Sequence, residues 1–167
     1  MNIVIERACA SDAAQILEYL KQVGGETDNL TFGKEGMPFS VAEEADYIAK
    51  MENSHDDIML TAKQGEKIVG IATLNRLPRR MAHRGDFGVS VLKSHWGEGI
   101  GSKLLEEIIN FAKSNSFTVI DLQVRSDNIR AIRLYEKYGF AISGTHPAFH
   151  RIGNENIPFN FMFLELK

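Results

Sequence analysis

The sequence predicts a single α/β (α+β) domain spanning residues 1–167, in which one sheet is flanked by helices. Segments of alternating and of helical periodicity follow one another in the order β-α-α-β-β-β-α-β-α-β-β. Hairpin signals join the central strands, and a chain of 167 residues has about the size of one domain. No repeat, low-complexity tract or linker divides the chain, so we expect one common core.

The first third of the chain predicts a strand and two helices. Residues 2–7 alternate as a strand, and Ser11 is the expected N-cap of a helix that ends at Gly24-Gly25. An irregular loop is expected over residues 26–39. The capping-box pattern Ser40-Val41-Ala42-Glu43 then predicts the start of the second helix.

The middle of the chain predicts an antiparallel meander. Strands are expected near residues 58–63 and 67–75, joined by the hairpin signal Gln64-Gly65-Glu66, and a third strand is expected near 83–92. An amphipathic helix follows from Gly99. Its predicted buried positions are Ile100, Leu104, Ile108 and Phe111 or Ala112.

The last part of the chain alternates between strands and one helix. Residues 118–124 predict a strand, and Asn128 or Asp127 is expected to cap a helix that stops at Gly139. Final strands are expected near residues 140–146 and 156–166, the second interrupted by Pro158.

Composition is that of an ordinary globular protein. Hydrophobic residues make up 44% and charged residues 25% of the chain, which disfavours disordered and fibrous classes. A net charge of −3 disfavours a general nucleic-acid binder. No apolar run approaches the ~20 residues that span a bilayer, and the first residues lack a signal-peptide pattern. We therefore expect a cytoplasmic protein with no membrane partner.

The segment His-Trp-Gly-Glu-Gly-Ile-Gly-Ser-Lys over residues 95–103 predicts an anion cradle. Its alternate glycines let backbone N–H groups converge on a phosphate, and the following helix directs its positive dipole end to the same place. The Walker pattern fails because Lys103 follows Ser102, and Ser102 also occupies the third glycine position of the dinucleotide fingerprint. Taken alone, the loop fits a phosphate site and a structural turn equally well.

A second segment over residues 122–140 contains Asn128, Ala131 and the run Leu-Tyr-Glu-Lys-Tyr-Gly-Phe. Together the two segments resemble the Gcn5-related N-acetyltransferase superfamily, in which a Gln/Arg-x-x-Gly-x-Gly/Ala loop binds the pyrophosphate of acetyl-coenzyme A. The resemblance implies a mixed, mostly antiparallel central sheet whose strands at 83–92 and 118–124 splay apart around the cofactor. Trp96 stands where the family usually has Gln or Arg, which removes one side-chain donor but leaves the backbone cradle.

The resemblance also implies which residues contact acetyl-CoA, and it implies no metal. The expected contacts are Val89, Ser90, Val91, Trp96, Gly97, Glu98, Gly99, Ile100, Gly101, Ser102 and Asn128. A backbone N–H within residues 89–91 is the expected donor to the oxyanion.

The implied reaction is attack of a primary amine on a thioester, which needs both an acid and a base. Tyr135 matches the family's general acid, although its position also fits a core tyrosine. Gln123 stands where many relatives carry a glutamate base, so the candidates for the base are His83 and the acidic loop Glu26-Thr27-Asp28-Asn29, with its carboxylates Glu26 and Asp28. Both also fit ordinary surface positions.

The sequence leaves the acceptor open between a small-molecule amine and a protein amine, and it leaves a homodimer open. The basic cluster Arg76, Arg79, Arg80, His83 and Arg84 fits either a solvated hairpin or a surface for an acidic partner. Two other functions stay under consideration: a CoA-binding module without catalysis, and an unrelated nucleotide-binding α/β domain.

Overall fold

A computed structural model describes residues 2–167 and confirms the predicted order of elements. The strands are β1 (Ile3–Arg7), β2 (Asp57–Gln64), β3 (Lys67–Arg76), β4 (Arg84–Val91), β5 (Val119–Arg125), β6 (Ala141–Ile152) and β7 (Glu155–Glu165). The helices are α1 (Ala13–Glu26), α2 (Val41–Met51), α3 (Ile100–Ser114) and α4 (Ile129–Lys137).

The strands form one seven-stranded mixed sheet in the order β1-β2-β3-β4-β5-β7-β6. Strands β1 to β4 pair antiparallel in sequence order, so the predicted meander is confirmed. The only parallel pair within residues 2–167 joins β4 to β5, and α3 connects these two strands. This crossover brings the N-terminus of α3 to the end of β4.

Strands β4 and β5 stay together for only three residue pairs. Arg84, Gly85 and Asp86 pair with Val119, Ile120 and Asp121, and the pairing then stops. An ion pair between Arg84 Nε and Asp121 Oδ2, 2.8 Å apart, joins the two strands at the paired end. Beyond Asp86 the strands diverge, which confirms the predicted splay.

The main core lies where α3 packs on the sheet. Ile100, Leu104 and Ile108 are fully buried along one face of α3, as its helical periodicity predicts. Burial of each such side chain contributes about 1.5–3 kcal/mol. Packing of this face therefore fixes the start of α3, and with it the glycine loop, against β4.

Helix α1 differs from its predicted bounds at both ends. Ser11 lies within a short 3-10 turn, Ala10–Asp12, and Asp12 is the N-cap. Gly24 and Gly25 do not end the helix, which continues to Glu26. Gly24 is required for close packing instead, because a Cβ there would lie 2.1 Å from the Gly33 carbonyl oxygen.

The predicted interruption at Pro158 is also wrong, since β7 runs unbroken through it. The register between β6 and β7 shifts between His146 and His150, opposite this part of β7. A proline lacks the N–H that a regular ladder needs, and such a bulge removes that requirement. The sheet therefore tolerates Pro158 without losing the strand.

The contact between Gly24 and Gly33 generates a prediction about stability. We expect Gly24→Ala to lower the free energy of unfolding by about 1–3 kcal/mol, because the added methyl group overlaps backbone atoms. Gly25→Ala is the matched control, since its Cβ would contact Lys34 Cβ at 3.4 Å. We expect that variant to be neutral or slightly more stable. Urea denaturation of both variants measures the difference, and equal midpoints would contradict the packing role.

Candidate active site

The divergence of β4 and β5 opens a cleft of about 780 Å³ that crosses the sheet. Its walls are the diverging strands, the glycine loop, α4, the loop over residues 27–32, and the β6-β7 hairpin. Most of the residues predicted to hold the cofactor line this cleft. They are Val89, Ser90, Val91, Trp96, Gly97, Gly99, Ile100, Gly101, Ser102 and Asn128, joined by Tyr135.

The glycine loop presents its backbone to the cleft. Gly97 and Gly99 have φ angles of +85° and +78°, a region that residues with a Cβ rarely occupy. A Cβ on Gly99 would have no atom within 4 Å, so open space faces it. Helix α3 begins at Ile100, and the N–H groups of its first turn have no partners within the helix. The loop and helix start together form a site suited to a phosphate.

Trp96 and Arg130 form one wall beside this loop. The Trp96 indole Nε1 donates a hydrogen bond to the Val91 carbonyl oxygen at 2.8 Å. The Arg130 guanidinium lies 5.2 Å from the centre of the Trp96 ring, in cation–π geometry. Sequence reasoning did not single out Arg130; it stands two residues after the cap Asn128, and only the fold brings it to the glycine loop. Arg130 thus places a positive charge beside the glycine loop, where the Trp96 side chain carries none.

The backbone of β4 directs N–H groups into the gap. Leu92 N donates to Val69 O at 2.9 Å. Every second residue of β4, counted back from Leu92, therefore directs its N–H group to β3. Val89 and Val91 alternate with these residues, so their N–H groups point to the other side of β4, where β5 has diverged. These two donors have no strand partner on that side.

Tyr135 lies on the α4 side of the gap. Its ring is 7% exposed and packs edge-on against Phe87, with the ring centres 6.2 Å apart. Burial raises the pKa of the Tyr135 hydroxyl well above its ordinary value. The group is therefore protonated at neutral pH and can donate a proton or a hydrogen bond. Asn128 caps α4, with its Oδ1 accepting from Ala131 N at 3.3 Å.

Asp86 is the carboxylate that the sequence interpretation missed. It lines the cleft at the last residue pair before β4 and β5 separate, and its Oδ1 accepts a hydrogen bond from Gln123 Nε2 at 3.2 Å. Burial raises the pKa of the Asp86 carboxyl above its ordinary value. The signal in the sequence was one acidic residue inside an otherwise uncharged stretch, Gly-Asp-Phe-Gly.

The structure does not bring His83 or Glu26 to the cleft. His83 is exposed just before β4, at the paired end of the strands, where its carbonyl oxygen accepts from Thr118 N at 2.9 Å. Glu26 ends α1, and its Oε2 accepts a hydrogen bond from Lys93 N at 2.7 Å. His83 was chosen as a histidine at the start of β4, and Glu26 as a carboxylate of the acidic loop after the first helix. Strand direction places the first at the paired end, and the continuation of α1 to Glu26 leaves the second outside the cleft.

Two predicted cofactor contacts differ from the others. The Ser90 hydroxyl lies 2.9 Å from the Tyr19 hydroxyl on α1, so this side chain is engaged on the opposite face of β4. Glu98 is exposed and does not line the cleft. A carboxylate beside a phosphate is unfavourable, so an outward Glu98 is consistent with a loop that acts through its backbone.

The described part of the chain contains neither a metal-binding cluster nor a membrane-spanning helix. Within residues 2–167, no cluster of three or more His, Cys, Asp or Glu side chains has the arrangement of a metal site. No helix in that range combines the length and apolar character needed to cross a membrane.

The raised pKa of Asp86 generates a prediction about stability and pH. Because the fold favours the protonated carboxyl, Asp86 contributes most to stability below its unfolded pKa of about 3.9 and least above its folded pKa. We therefore expect Asp86→Asn to raise the free energy of unfolding at pH 7 by about 1 kcal/mol, as measured by urea denaturation. The gain should shrink as the pH falls through the folded pKa. A variant less stable than the parent at pH 7 would contradict this burial cost.

Comparison with known proteins identifies the family. The nearly complete chain superposes on the acetyltransferase of GNAT family from Streptococcus pneumoniae with a TM-score of 0.95 and 30% identity, covering 99% of this chain and 100% of that one. It also superposes on yncA from Salmonella typhimurium, solved with its cofactor acetyl-CoA, with a TM-score of 0.85 and 21% identity over 99% and 94% of the two chains.

Two curated relatives match by sequence over part of their length. N-alpha-acetyltransferase RimI of Mycobacterium tuberculosis is 34% identical over 92 residues, 54% of this chain and 56% of its own. L-amino acid N-acetyltransferase AaaT of Escherichia coli is 42% identical over 83 residues, 47% and 49% of the two chains. The chain thus spans about half the length of these curated relatives. Because the Acetyltransferase (GNAT) family model matches residues 26–140, this chain belongs to the GNAT family of acetyltransferases.

Proposed function

We propose that this protein is an acetyl-CoA-dependent N-acetyltransferase that transfers the acetyl group to a primary amine by direct attack on the thioester. One observation carries the proposal: a single cleft joins the glycine loop and Tyr135 on one face of the sheet to Asp86 on the other. Such a cleft lets the cofactor and the amine approach each other through the gap between β4 and β5.

The residues present fit acetyl-CoA, which supplies the activated acetyl group when it is bound. The open backbone of Gly97 and Gly99 and the first turn of α3 suit the pyrophosphate. Arg130 adds a positive charge at the same end of the cleft. The unpaired N–H group of Val91 suits the amide-containing arm that must pass along β4.

Asp86 is the proposed general base. An alkylamine with a pKa of ~10.4 is about one part in a thousand neutral at pH 7, so the attacking nitrogen must lose a proton. The Asp86 carboxylate lies in the cleft at the point where the strands part. Its raised pKa makes it a better proton acceptor than an ordinary aspartate. Gln123 donates to Asp86 Oδ1 and so orients the carboxylate.

Two other groups in the gap stabilise the developing charges. The N–H group of Val89, nearer to Asp86 along β4 than that of Val91, is a fixed donor for the oxyanion that forms when the amine attacks. The Tyr135 hydroxyl, held protonated by burial, donates to the departing thiolate. The acid and the base therefore act from opposite faces of the sheet and do not compete for the same proton.

The proposed class of acceptor rests on the relatives that the chain resembles. The names of the two curated relatives, an N-alpha-acetyltransferase and an L-amino acid N-acetyltransferase, favour an α-amine over other acceptors. We include both small-molecule amines and protein amines in the proposal.

The cofactor assignment is tested by acetyl-CoA binding to two glycine variants. Gly99→Ala places a Cβ in a left-handed conformation that costs about 1–2 kcal/mol. We expect the free loop to relieve this strain by leaving that conformation. Acetyl-CoA must then restore it on binding, so its dissociation constant should rise about tenfold. Gly153→Ala is the matched control, because Gly153 also has a left-handed φ, +58°, and open space around its Cβ position, but it lies in the β6-β7 turn and does not line the cleft. Titration calorimetry measures both constants. No binding by the parent protein, or equal constants for both variants, would count against the loop as the phosphate site.

The catalytic assignment is tested by thiol release from acetyl-CoA in the presence of an amine panel. We expect Asp86→Asn to lower kcat/KM by about 10²–10⁴-fold, because asparagine cannot accept the proton, while acetyl-CoA affinity stays unchanged. In the parent, kcat/KM should fall at acidic pH as Asp86 becomes protonated, with a midpoint above the ordinary value for aspartate. Acetyl-CoA binding with no thiol release from any amine would instead support a CoA-binding module without catalysis.

A further inference from the structure

The cleft has two chemically different halves, one on each face of the sheet. Side chains alternate along β4, so Phe87 meets Tyr135 on the α4 side while Ser90 meets Tyr19 on α1. Asp86 lies on the same face of β4 as Ser90, and it shares that face with Gln123, to which it is hydrogen-bonded. We call the cleft on the α1 face the acceptor half, because the glycine loop and Tyr135 occupy the other half.

Aromatic side chains wall the acceptor half. Phe32 comes from the loop after α1, Phe149 from β6 and Phe159 from β7, and all three line the cleft. The rings of Phe149 and Phe159 pack with their centres 4.7 Å apart. Phe161 extends the cluster, with its ring centre 5.6 Å from that of Phe149. Together these rings offer an apolar surface for the body of a substrate.

Among the described residues that line the acceptor half, Asp86 carries the one formal charge, and it is negative. Among the described residues that line the cleft, Arg130 is the one Arg or Lys, and it lies on the cofactor side against Trp96. Arg125 is near the acceptor half, but its guanidinium is paired with both Asp127 oxygens, at 2.7 and 3.2 Å, and contacts the Asp28 carbonyl.

Three histidines lie near the cleft, but none lines the acceptor half. His146 and His150 pack against the aromatic cluster, 6.1 Å from the Phe149 ring centre and 4.8 Å from that of Phe159, and neither lines the cleft. His95 lines the cleft beside the glycine loop, where its ring nitrogens contact Ser94 and Gln64. Arg84, two residues from Asp86 on the same face of β4, does not line the cleft and is paired with Asp121 at 2.8 Å. The described part of the chain thus offers no unpaired Arg or Lys in the acceptor half to a substrate carboxylate.

We infer that the acceptor is a primary amine on an aromatic or large apolar body that carries no free carboxylate. This inference rests on the proposed function. The ammonium group is attracted to Asp86, and the aromatic walls bury the body of the substrate. A substrate carboxylate would be desolvated beside Asp86 without a partner, which is strongly unfavourable. Either a small arylalkylamine or the first residue of a peptide, whose carboxylate is an amide, meets this requirement.

The test compares probes that share one aromatic body and differ at the carboxylate. The probes are L-phenylalanine, L-phenylalaninamide, 2-phenylethylamine and an amidated tripeptide that begins with phenylalanine, with glycinamide as the probe that lacks the ring. Two readouts are taken with the full chain: thiol release from acetyl-CoA, and binding of each probe to the protein saturated with CoA. Because the 2-phenylethylamine nitrogen is at least as basic as that of phenylalanine, amine basicity does not favour it.

We expect kcat/KM and affinity to be at least about tenfold higher for 2-phenylethylamine and for one of the amide probes than for phenylalanine. Glycinamide should be poorer than phenylalaninamide by a similar factor. A preference for the tripeptide over 2-phenylethylamine would identify a peptide N-terminus as the acceptor, and the reverse order would identify a small amine. Phenylalanine equal to or better than its amide in binding or turnover would overturn the inference.

The outcomes separate this inference from the proposed function. Thiol release with other amines, together with no binding of any aromatic probe, would overturn the inference and leave the transferase intact. Absence of both acetyl-CoA binding and thiol release would overturn the proposed function, and binding of the same probes to the protein without CoA would still decide the preference of the cleft.

A pair of variants links the preference to the aromatic wall. Phe149→Leu should raise KM for the preferred aromatic probe at least about threefold, with a smaller effect on glycinamide, because it removes ring contacts in the acceptor half. Phe39→Leu is the matched control, since Phe39 is 47% exposed and does not line the cleft. Equal effects of Phe149→Leu on the aromatic and glycine probes would contradict the role of the wall.

Discussion

The separation of β4 and β5 after three residue pairs is the constraint on which the candidate site depends. Continued pairing would satisfy the N–H groups of Val89 and Val91 and would close the sheet. Separation leaves these donors without a strand partner, and it opens one cleft to both faces. A ligand that passes between the strands can accept hydrogen bonds from these donors. The missing strand pairing therefore leaves backbone donors free to bind a ligand.

The same separation explains how the proposed acid and base can coexist in one small cleft. Phe87 and Asp86 are neighbours in β4, so their side chains point to opposite faces, and each face creates a different environment. Tyr135, behind Phe87, is buried among rings that favour its neutral form. Asp86 is buried beside an amide donor, and burial raises its pKa. Strand alternation thus assigns two protonation chemistries to two sides of one gap.

The surrounding elements hold this geometry without entering the chemistry. Glu26 accepts from Lys93 N and so ties the end of α1 to the turn that precedes the glycine loop. Gly24 lets the following loop approach α1 closely enough to form one wall of the cleft. The basic cluster expected between β3 and β4 is largely structural at its two ends, because Arg76 pairs with Asp56 and Arg84 with Asp121. These contacts position the site and explain several polar residues whose roles the sequence left open.

The sequence by itself determined the order of elements, the buried face of α3 and the glycine loop, because periodicity and glycine placement are local properties. Its motifs also predicted Tyr135 and Asn128 as site residues, and both line the cleft. Only the tertiary structure decided where β4 and β5 part, which brought Asp86 into the cleft and left His83 at the paired end. Arg130 likewise meets Trp96 only after α3 and β5 have folded between them. Such residues are distant in sequence or distinguished by strand parity, and their proximity follows from long-range packing that no local pattern contains.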